Sequence, residues 1–415
     1  MNLSDLSVFL VGGAVRDQLL NRKVIERDYL VVGSTPEQML SLGFTQVGKD
    51  FPVFLHPETK EEYALARTER KKGKGYTGFE CYSEPDVTIE QDLLRRDLTV
   101  NAMAMSSNDE IIDPYGGLKD LDNRILRHVS PAFSEDPLRV LRVARFAACY
   151  HQYGFTVAPE TLSLMTEISL SGELETLSAE RIWKEMEKAL TEPNPEVFFL
   201  ILKQCQAIQA IWPELAEHMN NTRCNSDSVA PNVRQQGINT LPILQSAVAL
   251  SNDVAIRFSA LCLDPISNES EVAQNNKIPP PTVINEQIAK RLKIPNSVAK
   301  LAIKTNQLHH NVLNAPLLEP EAILNLLEQC EYLRNSSLLT DILTTCEAEA
   351  RAKCDVAAKI DQAQSGIEFK NYLLNIAGEL HKITAKPFIE KGLQGKAIKE
   401  AMDEAKIARI AALSS

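Results

Sequence analysis

No stretch of the sequence approaches the roughly 18 to 20 consecutive apolar residues that a membrane-spanning helix needs, which excludes a helical membrane protein. The eight cysteines, Cys81 to Cys354, include no CxxC pair and no other zinc-like spacing. Zinc fingers are thereby excluded, and free thiols in a reducing cytoplasm are expected. Basic residues are in deficit: Lys plus Arg is 44 against 55 Asp plus Glu, a formal charge of −11. That balance excludes a histone-like mode of nucleic-acid binding, although local basic patches can still serve RNA. The opening MNLSDLSVFLVGG lacks a basic n-region and runs directly into a strand-like segment, so no signal peptide is expected. No internal repeat is present. What remains is ordinary globular composition, 44% hydrophobic and 24% charged over 415 residues, enough for two to four domains.

The layout is a compact α/β head followed by a long helical body. SVFLVG (7–12), DYLVVG (28–33) and EEYALAR (61–67) read as strands, and PEQMLSLG (36–43) as a short helix ended by glycine. The polar stretch from Thr68 to Glu90 has loop composition. Beyond about Ser130 the pattern is helical. SEDPLRVLRVARFAACYHQYG carries Ser134 and Asp136 as caps, Pro137 in the first turn and Gly154 as a stop. Segments 219–240 and 264–282 read as linkers.

Four clusters in the head and its first long helix can carry chemistry. Gly12-Gly13 at a strand-to-helix turn lets backbone approach a phosphate, with Arg16 one turn on. Glu26 and Asp28 are two apart, so on a strand they share a face and pair two carboxylates. Two carboxylates plus substrate phosphates are a common way to hold Mg²⁺, and Glu62 on EEYALAR offers a third. Arg95-Arg96-Asp97 combines phosphate-binding cations with an acid suited to a ribose hydroxyl. In EDPLRVLRVAR, Asp136 and Arg139 are three apart, hence neighbours on one helix face, with Arg142 a turn further. An Asp–Arg pair matches the amine and ring-nitrogen pattern shared by cytosine and adenine, and opposes that of uracil and guanine. Each cluster read singly is equally compatible with a solvated charged surface.

Their order along one chain is more specific. LVGGAVRD, an ExD pair before an apolar strand, RRDLTVNAMA and EDPLRVLRVARF closely resemble the bacterial class II tRNA nucleotidyltransferases, the CCA-adding enzymes. The resemblance extends to EEYALARTER and IIDPYGGLKDL; it is dense over residues 6–215 and looser beyond. It implies an α+β fold, with a polymerase-β-like nucleotidyltransferase head and a mostly helical neck, body and tail. The expected boundaries are 1–133, 134–218, 219–312 and 313–415. It implies addition of C, C and A to the 3′ end of tRNA from CTP and ATP, with Mg²⁺ as cofactor. The chain is expected in the cytoplasm, as a monomer or homodimer. Glu26 and Asp28 match the metal-binding and catalytic carboxylates, with Glu62 beside them. Gly13, Arg16 and Arg96 match nucleotide contacts, and Asp97 matches the ribose-selecting acid. Asp136 and Arg139 match the base-reading pair, with Arg142 and Arg145 alongside. The 68–90 loop matches the flexible element needed for the final A.

Two departures stand out. The family usually has Asp where this chain has Glu26. Where relatives carry a metal-dependent phosphohydrolase (HD) site in the body, this chain has Leu263-Asp264 in place of His-Asp and Asn239 in place of a histidine. His309 and His310 remain, too few ligands to rebuild the site, so phosphohydrolase activity is expected to be absent. A poly(A) polymerase and a non-catalytic tRNA-binding protein are the alternative readings. Lys382, Lys386, Lys391, Lys396 and Lys399 either grip tRNA or form a solvated helix face.

Overall fold

The computed structural model describes residues 6–47, 52–71, 79–220, 241–263, 283–357 and 361–414. The chain divides into two compact units, Met1–Ile211 and Trp212–Ser415. The first unit opens with β1 (Ser7–Val11), α1 (Gly13–Leu19), β2 (Asp28–Val32) and α2 (Pro36–Ser41). Then come β3 (Thr45–Val47), β4 (Val53–Leu55), β5 (Glu62–Leu65), β6 (Thr68–Lys71), β7 (Phe79–Tyr82) and α3 (Ile89–Leu94). The expected strands and the short helix form, with trimmed ends; the two-residue strands β8 (Ala104–Met105) and β9 (Ile111–Ile112) carry too little pattern to read.

The strands join in a mixed sheet of order β3-β4-β5-β2-β1-β8-β9. Both faces are covered, which explains the nearly continuous apolar run of β2. Leu30 belongs to a core with Val11, Val87, Leu93 and Ala104, whereas Val31 packs with Met39, Phe44, Phe54 and Leu65. The register positions the site. Val11 of β1 lies opposite Asp28 of β2 in an antiparallel pair, and Asp28 is matched with Glu62 of β5 in a parallel one. One sheet end therefore carries the Gly12 turn, Asp28 and Glu62 together.

Within the stretch expected as loop at 68–90, β6 and β7 pair as an antiparallel ribbon from Thr68↔Tyr82 to Lys71↔Phe79. Composition suggested loop because a two-stranded ribbon needs no buried face to hold its backbone ladder. Residues 72–78 lie outside the described set. α3 starts with a reciprocal capping box: Thr88 Oγ1 accepts the Gln91 N–H at 3.3 Å, and Gln91 Oε1 accepts the Thr88 N–H at 2.9 Å.

The rest of the unit is helical apart from the short pair β10 (Ile125–Leu126) and β11 (Thr156–Val157). It contains α4 (Gly117–Asp122), α5 (Leu138–Tyr150), α6 (Pro159–Leu170), α7 (Ala179–Thr191), α8 (Pro195–Gln204) and α9 (Ala207–Ile211). α5 presents ten buried residues, among them Val140, Leu141, Ala144 and Ala148, and Gly154 (φ +82°) closes the turn after it.

The second unit is helical throughout its described residues. Leu308, Leu327, Leu343 and Ile376 share its main core, and Trp212 stacks on Phe258 at 5.7 Å while donating to the Val283 carbonyl at 3.1 Å. Of the residues compared with an HD site in the sequence, Leu263 is buried in an apolar cluster with Ala260 and Ala348. Buried His309 meets Glu349 at 2.9 Å, whereas His310 is exposed, because adjacent residues of a helix point about 100° apart. Asn239 and Asp264 lie outside the described residues.

Candidate active site

The turn from β1 into α1 depends on Gly12, not on the neighbouring Gly13. Gly12 has φ +70°, and a Cβ there would come within 2.8 Å of the Arg96 guanidinium. The Gly12 N–H donates to the Met103 carbonyl at 3.2 Å, which anchors the turn to the core. Arg16 is not a solvated arginine. It is 6% exposed, lies over the Tyr150 ring at 4.7 Å, donates to Asp17 at 3.1 Å and bonds Asn101 Oδ1.

Asp28 begins β2, while Glu26 lies in the irregular segment before it. Strand alternation therefore does not set the direction of Glu26, contrary to the expectation that both sit on one strand; both still line the same cleft. Crowding by the cleft walls raises the Asp28 pKa, Arg96 opposes this, and Glu26 adds to it. A carboxylate unsettled by burial and by a like charge is one that a bound cation relieves. Glu26, Asp28 and Glu62 are all hard oxygen donors, as a magnesium-type ion requires. Among the described residues no three metal-ligating side chains form a closed cluster.

Above the carboxylates, basic groups are braced by buried acids. Asp92, completely buried, binds Arg95 at 2.6 Å and Arg96 at 3.2 Å. Burial alone would raise its pKa; Arg95 and Arg96 hold it below the usual carboxylate value. Asp97 Oδ2 accepts Arg142 at 2.7 Å, and its Oδ1 accepts from the Leu98 N–H at 2.9 Å and from Asn101 Nδ2 at 3.0 Å. Against its burial, Arg142 and Asn101 keep Asp97 ionised far below the usual range. Arg145 of α5 donates to Glu185 of α7 at 2.6 Å and lies over Phe146 at 4.4 Å.

Asp136 and Arg139 do not share a helix face. Asp136 is extended (φ −119°, ψ 104°) and precedes α5, its Oδ1 accepting the Leu138 N–H at 3.1 Å. The proline after it disfavours helical dihedrals at Asp136, so the three-residue spacing carries no helical meaning. Asp136 is held by Arg181 of α7 at 2.9 Å, and Arg139 reaches the carbonyls of Ala132 at 3.0 Å and Arg95 at 2.5 Å.

The metal, catalytic and nucleotide candidates from the sequence line one cleft of about 670 Å³: Gly13, Arg16, Glu26, Asp28, Glu62, Arg96, Asp97, Asp136, Arg139, Arg142 and Arg145. Gly12, named with Gly13 in the expected turn, lines it too, and the structure adds Asn101 and Arg181, with Asp92 and Glu185 bound to the lining. Asn101 sits five residues after Arg96, within RRDLTVNAMA, so its position was visible but not its pairing. Arg181 and Asp92 carried no local signal, since an isolated Arg or Asp on a helix is usually solvated.

Residues 8–127 match a family model described as the Poly A polymerase head domain, and 154–219 one described as a probable RNA and SrmB-binding site of polymerase A. A Multifunctional CCA protein of Tolumonas auensis is 46% identical over 398 residues, spanning 95% of both chains. Among solved structures, a CCA-adding enzyme in complex with CTP aligns with TM-score 0.66 at 20% identity, over 98% of this chain and 86% of that one. A Thermotoga maritima CCA-adding enzyme complexed with tRNA aligns with TM-score 0.65 at 19% identity, over 98% and 88%. At such identities the structural likeness speaks for the fold alone. The 46% identity sustained over nearly the whole length carries the conclusion: this chain belongs to the bacterial CCA-adding enzyme family.

Proposed function

We propose that this chain adds C, C and A, without a nucleic-acid template, to the 3′ end of tRNA from CTP and ATP, releasing pyrophosphate. The observation that carries the reading is the single cleft in which a carboxylate pair, a glycine turn and acid-braced arginines meet. Glu26 and Asp28 hold Mg²⁺, and the ion supplies charge neutralisation at the triphosphate and activation of the attacking hydroxyl. The terminal ribose hydroxyl attacks the α-phosphorus and pyrophosphate leaves. Glu62, level with Asp28, adds negative potential at the same strand end.

Gly13, Arg16 and Arg96 receive the nucleotide's phosphates and sugar, with the bare Gly12 backbone leaving Arg96 room beside them. Asp97 faces the ribose from a position locked by Arg142 and Asn101. Asp136 and Arg139 read the base edge, each anchored separately, Asp136 through Arg181 and Arg139 through two carbonyls. A carboxylate has about four lone-pair sites, so Asp136 accommodates the exocyclic amine of C or A beside Arg181. Arg142 and Arg145 complete the wall. The chain's two compact units are read further as head (1–133), neck (134–218), body (219–312) and tRNA-binding tail (313–415). It works in the cytoplasm and carries no phosphohydrolase activity. Buried Leu263 and the engagement of His309 with Glu349 support the latter.

The match of residues 8–127 to the Poly A polymerase head domain supports poly(A) polymerase as the second reading. Incubating the protein with tRNA that ends before its CCA, then sequencing the product, decides between them. A CCA terminus is expected; an extended A tract assigns the second reading, and no incorporation of labelled CTP or ATP assigns a non-catalytic role.

A further inference from the structure

Asp92 is completely buried, yet it lies one helical turn below two arginines that line the cleft. Its Oδ1 takes Arg95 Nη2 at 2.6 Å, Arg95 Nε at 3.1 Å and the Arg67 backbone N–H at 3.3 Å. Its Oδ2 takes Arg96 Nη2 at 3.2 Å. The other terminal nitrogen of Arg96 lies beside the bare Gly12 backbone, 2.8 Å from where a Cβ would stand. The Nε of Arg96 is buried with no hydrogen-bond partner among the described residues. Arg96 is thus held through Nη2, with Nη1 beside the Gly12 turn that lines the cleft and Nε buried behind it. A buried donor without a partner is costly, so an oxygen-rich ligand at this point is strongly favoured.

Two adjacent guanidiniums in a crowded cleft repel each other unless an acid lies between them. Asp28 is within electrostatic reach of Arg96. Without a carboxylate behind it, Arg96 has a competing attraction toward Glu26 and Asp28, where it would spend its charge on the groups meant for the metal. We propose that Asp92 is a positioning residue that holds Arg96 back from the Glu26–Asp28 pair and aims its unpartnered donors at the triphosphate of the incoming nucleotide. The role rests on the nucleotidyl-transfer reading above. It acts at every addition step, because the triphosphate is common to CTP and ATP.

The test is Asp92→Asn, which keeps shape and loses charge. KM for CTP and for ATP should rise together by about tenfold, as expected for losing one charge-assisted contact. The inhibition constant of pyrophosphate should rise by the same factor, with KM for tRNA and discrimination against UTP and GTP unchanged. In the Arg96→Ala background the same substitution should add less than twofold, since it acts through Arg96. Asp92→Glu keeps the charge but moves the oxygens by a methylene, so KM should still rise severalfold in a fully folded protein. A loss confined to kcat or to the fraction of active enzyme, with both constants unmoved, would overturn the proposal in favour of a purely structural role. A shift for only one nucleotide, or full additivity with Arg96→Ala, would overturn it equally. Absence of any nucleotide addition by the unmodified protein would instead remove the functional reading itself.

Discussion

At the scale of single residues, the proposed roles divide the cleft's groups into those that would serve every addition step and those that would choose the base. Asp28→Ala should abolish incorporation of both C and A while leaving tRNA binding largely intact, because RNA affinity comes mainly from phosphate contacts elsewhere. Normal CMP incorporation by that variant would remove Asp28 from the metal site. Glu26→Asp restores the family's usual residue and should be tolerated; Glu26 lies before the strand, where backbone can adjust to the shorter side chain. Asp136→Ala and Arg139→Ala should each leave the correct base with an unpaired polar group. The cost is about 1–3 kcal/mol, roughly a ten- to hundredfold loss of preference over UTP and GTP. Measuring kcat/KM for all four nucleotides on tRNAs stopped before each addition checks this. Slower use of CTP and ATP with discrimination unchanged would make the segment a phosphate clamp.

At the scale of elements, the site is a consequence of strand register and one turn. β1 and β2 bring Gly12 beside Asp28, and only a residue without a side chain lets Arg96 lie over that turn. Gly12→Ala combines a left-handed backbone with a 2.8 Å contact to Arg96. It should lower stability by about 1–2 kcal/mol and raise KM for both nucleotides, read by chemical denaturation and steady-state kinetics. Wild-type values on both measures would show that the turn relaxes without moving Arg96. The segment Glu135–Arg139 shows the opposite relation between sequence and structure. Its spacing reads as one helix face, but with Pro137 before it the helix begins at Leu138, two residues too late for Asp136 to belong to it.

At the scale of the whole molecule, stability of the helical unit has an electrostatic component of its own. Glu349 is fully buried between His309 and Lys353, the latter at 2.7 Å. Burial would raise its pKa, but His309 and Lys353 hold it below the ordinary 4.5. A depressed carboxylate stabilises the fold fully above the unfolded value and loses that contribution as pH falls through the folded one. Glu349→Ala should cost about 3 kcal/mol at neutral pH, as for other broken buried pairs. The gap from the unmodified protein, followed by thermal melting, should narrow below pH 4.5; a gap independent of pH would make the loss one of packing. Much of the rest was legible along the chain. Glycine at a strand end, carboxylates before an apolar run and arginines in ordered motifs are local patterns, and their residue types and sequence order alone pointed to the family, the reaction class and most of the charged residues that line the cleft. What only the tertiary structure decided is partnership. That Asp92 lies beneath Arg95 and Arg96, that Arg181 holds Asp136, and that Glu185 holds Arg145 are pairings across elements or through burial. Sequence periodicity reports which face a residue takes within one element; it is silent on which charge from another element will meet it there, and burial then makes that meeting obligatory.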